Sequence, residues 1–393
     1  MLASVTSVMR GWIARPIRDL GSGSRLRALS LSLILGISCS GPASEVSTRH
    51  PTAQNLIAPD GVVRVVYDTV MVIDSLIEAF ADRIRDAKIN HEIGRADGDP
   101  RYVFSAVEDV AIDGFGRVVV LDSRLNEVRV FENDGTHRFD YSSTAPGPDQ
   151  LRAPFGVEML SPQRPVILDR GRLLRQFSSM GDRWVPVTTT PLPVVPEGVC
   201  LSQGNVVVRG WTPEGVLHVL DSTGTTRAFG EAYVDPNATV RSQLSDGMLG
   251  CSRSGILIEA LEYVPIVRAH SASGKLLWTL RLDSFQSMEI SVRTSPATSI
   301  SYEMGAPFDI PVALVPIDAE LFVLQIARLQ RGENATKVLG IRTYLLTSRG
   351  AARYVTSHLP VIGAARLPFL YGMSNDPFSR ILVLKVPEAS RAK

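Results

Sequence analysis

Acidic residues recur at four matching places in this chain: Glu108-Asp109, Glu197, Asp246 and Asp309. Each stands at or just before a short run of aliphatic and β-branched residues. Carboxylates converging from such places would suit a hard cation such as calcium, which takes roughly six to eight oxygen ligands. Acids at strand starts can equally accept backbone N–H bonds or face water. None of the set stands out as a general base. Phe155 and Tyr371 hold comparable positions, where an aromatic ring could stack on a ligand.

Other chemistry is sparse. There is no P-loop, no His-Glu-x-x-His pair and no true Gly-x-Ser-x-Gly elbow. Gly250-Cys-Ser-Arg-Ser-Gly255 comes nearest, but no helical pattern follows it. The histidines (His50, His91, His137, His218, His270 and His358) are scattered. Of these, His137, His218, His270 and His358 fall on or beside outer strands and read as solvated surface groups. Three cysteines occur without zinc-site spacing. Cys200 and Cys251 each precede a turn glycine (Gly204, Gly255) by four residues, so they occupy equivalent places in successive units. Export would permit a disulfide, but neighbouring strands are expected to hold such positions beyond the roughly 7 Å that a bridge spans. They read as small buried thiols. Trp184, Trp211 and Trp278 read as core fillers, and the sequons at Asn237 and Asn334 as chance.

The elements that must hold these residues are strands. Runs at 107–112, 118–121, 128–131 and 136–141 are separated by Asp113-Gly114-Phe115-Gly116, residues 123–127 and Asn133-Asp134-Gly135. Gly and Asn/Asp tolerate positive φ, so tight hairpin turns form there at little steric cost. The pattern returns from residue 155, again from 198, again from 248, and in a longer unit from 314. The third-to-fourth-strand turn glycines are Gly135, Gly181, Gly224 and Gly274, at separations of 46, 43 and 50 residues. A repeat near 45 residues holding four strands is a propeller signature. Residues 283–307 read as a polar insertion. The final unit shows only two strands, at 369–373 and 381–386. The β-branched run at 62–73 is expected to complete it, joining the chain ends and removing free sheet edges. A short helix fits residues 74–89. The prediction is an all-β, six-bladed β-propeller of four-stranded antiparallel blades over 62–390, its last blade closed by an N-terminal strand.

The first unit resembles the six-bladed propellers of the NHL-repeat type found in exported bacterial proteins. The matching pieces are Asp109-Val-Ala-Ile-Asp113, Gly116-Arg-Val-Val-Val-Leu-Asp122, Val128-Arg-Val-Phe131, Asp134-Gly135 and the connector Pro146-Gly-Pro-Asp-Gln-Leu-Arg-Ala-Pro154. Asp149 stands where that connector usually carries Gly, and the later units match faintly. The resemblance implies a fold shared by scaffolds, ligand binders, lyases, and metal-dependent lactonases and esterases, so it cannot choose an activity.

Bulk properties narrow the partners. With 41 basic and 40 acidic residues the formal net charge is +1, which removes the electrostatic case for nucleic acid. Arg10, Arg15, Arg18, Arg25 and Arg27 precede an apolar run at 29–37, too short to span a bilayer. Leu35-Gly-Ile-Ser-Cys39 resembles a lipoprotein processing site, with Cys39 the lipidated residue; simple signal cleavage is the alternative. Residues 1–39 thus read as a signal segment and 40–61 as a flexible tether. The expectation is an exported monomer, periplasmic or outer-membrane-anchored and touching membrane only through its lipid, with secretion as the alternative. It would act as a binding or scaffold module for a protein or small ligand, with Glu108, Asp109, Phe155, Glu197, Asp246, Asp309 and Tyr371 at the channel mouth. The alternative is a metal-dependent hydrolase or lyase, with Asp109, Glu197, Asp246 and Asp309 as ligands and calcium as the metal.

Overall fold

The computed structural model describes residues 63–66, 75–142, 150–220, 226–252, 254–282, 284–288, 290–293, 299–302, 305–332 and 335–388. The signal segment with Cys39, the tether, residues 67–73 of the β-branched run, residues 146–149 of the connector, the turn at 222–224 and Asn334 lie outside them.

The chain begins with β1 (Val63–Val66), α1 (Ser75–Arg85) and β2 (Lys88–Ile93), then lays down blades in order. Blade 1 holds β3 (Val107–Ile112), β4 (Val118–Asp122), β5 (Glu127–Phe131) and β6 (His137–Ser142). Blade 2 holds β7 (Pro154–Ser161), β8 (Arg164–Asp169), β9 (Leu173–Ser179) and β10 (Trp184–Pro191). In blade 3 come β11 (Gly198–Ser202), β12 (Asn205–Thr212), β13 (Gly215–Leu220) and β14 (Thr226–Phe229). A connection carrying α2 (Ala238–Leu244) leads to blade 4, with β15 (Gly247–Cys251), β16 (Leu257–Leu261), β17 (Ile266–His270) and β18 (Leu276–Leu282). The predicted polar insertion contains a hairpin, β19 (Ile290–Arg293) with β20 (Ser299–Tyr302). Blade 5 follows as β21 (Pro307–Pro316), β22 (Leu321–Arg331), β23 (Thr336–Thr347) and β24 (Ala352–Thr356), and blade 6 as β25 (Val361–Arg366), β26 (Phe369–Ser374) and β27 (Arg380–Lys385).

Six four-stranded antiparallel blades therefore form the fold, as predicted. The closing strand differs from the one expected. It is β2, which pairs antiparallel with β27 from Lys88↔Lys385 to Ile93↔Ile381. Strand β1, from the 62–73 run, instead lies parallel to β18, Val63 opposite Thr279, as a fifth strand on blade 4. Blade 6 takes three strands from the C-terminal end rather than two, because β25 (Val-Ile-Gly-Ala-Ala-Arg) pairs with β26. The ring is shut by one strand.

Turn glycines behave as their chemistry requires. Gly274 has φ +90°, and a Cβ there would lie 2.8 Å from the Phe229 ring of the preceding blade. At Gly350, φ is +84° and the obstruction is Trp278, whose Nε1 donates to the Ser348 carbonyl oxygen at 2.7 Å. The positive φ and the close approach both demand glycine. Trp184 and Trp278 are buried, as expected of core fillers.

The apolar core is divided among blade-to-blade seams. Val119, Val130, Val157, Ile167 and Phe177 join blades 1 and 2. Leu280, Phe322, Leu324 and Tyr344 join blades 4 and 5. Helix α1 places Ile77, Ala81 and Ile84 on one face at helical spacing, against Val323 and Leu345 of blade 5 and Leu370 and Leu384 of blade 6.

Two expectations about side chains are corrected here. Cys200 and Cys251 form a disulfide between blades 3 and 4, their Cα atoms 5.8 Å apart. Inner strands converge towards the axis, so equivalent positions on β11 and β15 come within bridging range. Closing a loop of sequence separation 51 contributes about 4 kcal/mol in the chain-entropy account. His218 and His270, expected on the surface, are buried. His218 Nε2 lies 2.9 Å from the Gly210 carbonyl oxygen, and His270 Nε2 lies 3.3 Å from Glu259 Oε1.

Ile93 is buried in the closing strand, whereas Ile89 on the same strand is 55% exposed. Ile93→Ala is expected to cost about 3 kcal/mol in denaturant unfolding, and Ile89→Ala less than about 0.5 kcal/mol. Equal, small effects would mean that β2 does not close the ring.

Candidate functional site

The inner strands β3, β7, β11, β15, β21 and β25 contact one another in that cyclic order, and β25 returns to β3. They surround a cavity of about 460 Å³ to which all six blades contribute side chains. Arg170, Glu262, Tyr263 and Gln243 line it from second-to-third turns and blade connections, so it opens on that face.

Glu108, Asp109, Phe155, Glu197 and Asp246 line this cavity. A bulge in β3 between Val107 and Asp109 makes this possible, because Glu108 is the extra residue opposite β4. Bulges re-aim side chains, and here two consecutive carboxylates reach one cavity. Glu108 accepts from Ser123 Oγ at 3.1 Å and lies 3.6 Å from Arg170, whose guanidinium stands 5.7 Å from the Phe155 ring. Asp109 bridges two blades, accepting from the backbone N–H of Val110 and of Val157, each at 2.8 Å.

Asp309 and Tyr371 do not line the cavity. Asp309 is fully buried and accepts from Arg328 Nε at 3.0 Å, with Arg342 Nη2 2.9 Å from its Oδ2. It also accepts from the backbone N–H of Gln286 at 2.7 Å, tying the insertion to blade 5. Tyr371 is buried between blades 6 and 1, where its hydroxyl donates to Asn133 Oδ1 at 2.7 Å and burial pushes its pKa up to about 12. Both belong to blade seams. Among the described residues, no three His, Cys, Asp or Glu side chains are grouped closely enough to share a metal ion.

Glu197 belongs partly to a buried network. It pairs with the fully buried Arg209 and accepts from the Gly247 N–H at 3.2 Å. Arg209 also donates to the Ser245 carbonyl oxygen at 2.6 Å and lies 3.5 Å from Glu259. Burial alone would raise the pKa of Glu259. The His270 contact and the charges of Arg209, His270 and Arg268 outweigh it and hold that pKa down to about 2.

Two further acids complete the wall, Glu158 on β7 and Glu262 after β16. Sequence reasoning passed over both because neither stands at an inner-strand start. A charge inside Phe155-Gly-Val-Glu-Met-Leu160, otherwise apolar, was the available signal for Glu158. Burial pushes its carboxyl up to about 7, the N–H of Met159 opposing at 2.9 Å. Burial likewise drives Asp109 up to about 8, its backbone hydrogen bonds opposing, with Glu158 and Glu108 adding like charge. Two carboxyls titrating near neutrality in one cavity can exchange protons with, or offer countercharge to, a bound molecule.

The fold and site thus define a six-bladed propeller with an acidic central cavity. No protein-family model matches the chain, and no curated protein matches it. Solved structures share the shape. A Bacteroides fragilis protein inferred to be exported aligns over 83% of this chain and 100% of its own, at 8% identity and a TM-score of 0.51. A member of the DUF4221 family from Bacteroides vulgatus aligns over 78% and 99%, at 9% identity and a TM-score of 0.52. These likenesses establish the fold alone.

Asp109 and Glu158 keep their protons to higher pH in the fold than in an unfolded chain, whose values are 3.8 and 4.5. The folded state then binds more protons between those limits, so stability falls as pH rises through the window and levels off above about 8. In Glu158→Gln the amide oxygen can still accept from Met159. This variant is expected to show a shallower fall in Tm between about pH 5 and about pH 9. Parallel curves for variant and parent would contradict the assignment.

Proposed function

We propose that this protein is an exported binding module of the NHL-propeller type that takes a small ligand into its central cavity. The carrying observation is the cavity itself. At about 460 Å³ it falls in the range of small-molecule sites, roughly 300 to 1,000 Å³, and it combines apolar walls with a few polar groups. Export is read from the basic and apolar segments before Cys39, with lipidation of Cys39 as the anchor. The exported assignment of the Bacteroides fragilis structural neighbour is in keeping with it.

The catalytic alternative requires several carboxylates free to converge on a metal. Glu197 is engaged by Arg209, and Asp309 by Arg328 and Arg342, which favours the binding reading.

Met288 lines the cavity from the insertion, so Met288→Trp should fill part of it. Compounds found by thermal-shift screening are expected to stabilise the parent, by about 2.7 kcal/mol at a hundredfold excess over Kd. They should leave Met288→Trp unshifted. Shifts that survive in the variant would place the ligand elsewhere and overturn the proposal.

A further inference from the structure

Three arginines beside the cavity mouth are left unused by the fold. Arg124 stands in the β4–β5 turn, Arg152 in the connection from blade 1 to blade 2, and Arg172 in the β8–β9 turn. All three lie on the face where the cavity opens, and all three are exposed. Among the described residues, no hydrogen bond or ion pair engages their guanidinium groups. Arg170, between them, is already engaged by Glu108.

The loops that carry them are held from beneath. Asp122, fully buried, accepts from the backbone N–H groups of Ser105 at 2.6 Å, Ala106 at 3.1 Å and Leu125 at 3.3 Å. Asp169 repeats the device in blade 2, accepting from the N–H groups of Arg152 and Gly171, each at 3.1 Å. The three arginines thus project from backbone already fixed, and a partner need not order these loops on binding. The acids on the same stretches are spent: Asp122 and Asp169 on backbone, Glu108 on Ser123 and Arg170, and Glu127 on Arg129. Local charge is therefore positive. Across the mouth the sign changes, because blades 3 and 4 carry the exposed Glu214 and Glu231 and the half-buried Asp235 on the same face.

We propose that the mouth face of blades 1 and 2 docks an acidic peptide segment of a partner protein. Guanidinium groups present planar forks of N–H donors that match carboxylates. Cations spread over two blades and the link between them suit an extended chain bearing several carboxylates better than a single small anion. Leu125, 46% exposed beside Arg124, offers an apolar side chain of that segment a surface to pack on. A sulfated glycan or a phosphate polymer would leave it uncovered. The acids across the mouth repel such a segment and confine it to blades 1 and 2. Arg124, Leu125, Arg152 and Arg172 lie outside the cavity lining, so the surface does not depend on the cavity taking a ligand.

Fluorescence anisotropy of the full chain with a short labelled peptide alternating Glu and Leu tests this, beside the same peptide with Gln for Glu. The Glu peptide is expected to bind at least about tenfold more tightly than the Gln peptide, and to weaken as salt rises from about 50 mM to about 300 mM. Reversing two charges together, Arg124→Glu with Arg172→Glu, should slow association about tenfold without lowering Tm. Arg183→Glu, exposed on the opposite face, and Met288→Trp in the cavity should each bind the peptide as the parent does. Failure of the Glu peptide to bind, equal binding of the Gln peptide, or an equal loss in Arg183→Glu would overturn the proposal. So would a loss in Met288→Trp, which would put the peptide in the cavity. A sulfated glycan binding more tightly than the peptide would overturn it too, by assigning the surface to another polymer.

Discussion

The structure depends on closing a ring. A propeller left open would expose two sheet edges and would let its inner strands splay, so no walled cavity would exist at the axis. Here one strand, Lys88–Ile93, is handed from the N-terminal side to Arg380–Lys385 at the far end of the chain. Its neighbourhood is reinforced on both sides. Phe104 bridges to Ser379, and helix Ser75–Arg85 covers the seam between blades 5 and 6. The Cys200–Cys251 disulfide adds a covalent tie between blades 3 and 4.

Closure turns ordinary acids into unusual ones. Six inner strands held side by side pack protein around the carboxyls of Asp109 and Glu158, and that partial loss of hydration raises them. Other acids in the same ring have been neutralised by dedicated arginines. Asp309 is held by Arg328 and Arg342 and serves to anchor the insertion; Glu197 meets Arg209 across the same blade. The contrast separates carboxylates paired with buried arginines, Glu197 on the cavity wall included, from Asp109 and Glu158, which accept from backbone N–H groups. An acid with a buried arginine is part of the frame. An acid with only backbone N–H partners is available to a ligand.

Much of this was legible in the residues. Blade 1 announced its four strands because β-branched runs alternate with Gly and Asn/Asp turns, and Gly135, Gly181 and Gly274 do adopt positive φ. The closing strand was not legible, since Lys-Ile-Asn-His-Glu-Ile is polar and mostly exposed, and its partner lies almost three hundred residues away. The β-branched run at 62–73 carried the stronger local propensity, but ring position rather than propensity selects the closing strand. Asp109 could be placed from its strand start. Asp309 shared that position and was misplaced, because its orientation is set by arginines on β22 and β23 that no local pattern reveals. Bulges are equally silent in sequence, and the one at Glu108 decides that two adjacent carboxylates share a cavity.

The closed ring packs around Asp109 and Glu158, strips part of their hydration and leaves them facing one cavity. Carbon-13 titration of the two carboxyl groups in the intact protein tests this most directly. The account predicts midpoints of about 8 for Asp109 and about 7 for Glu158. Midpoints near about 4 for both, the range of hydrated carboxylates, would contradict it.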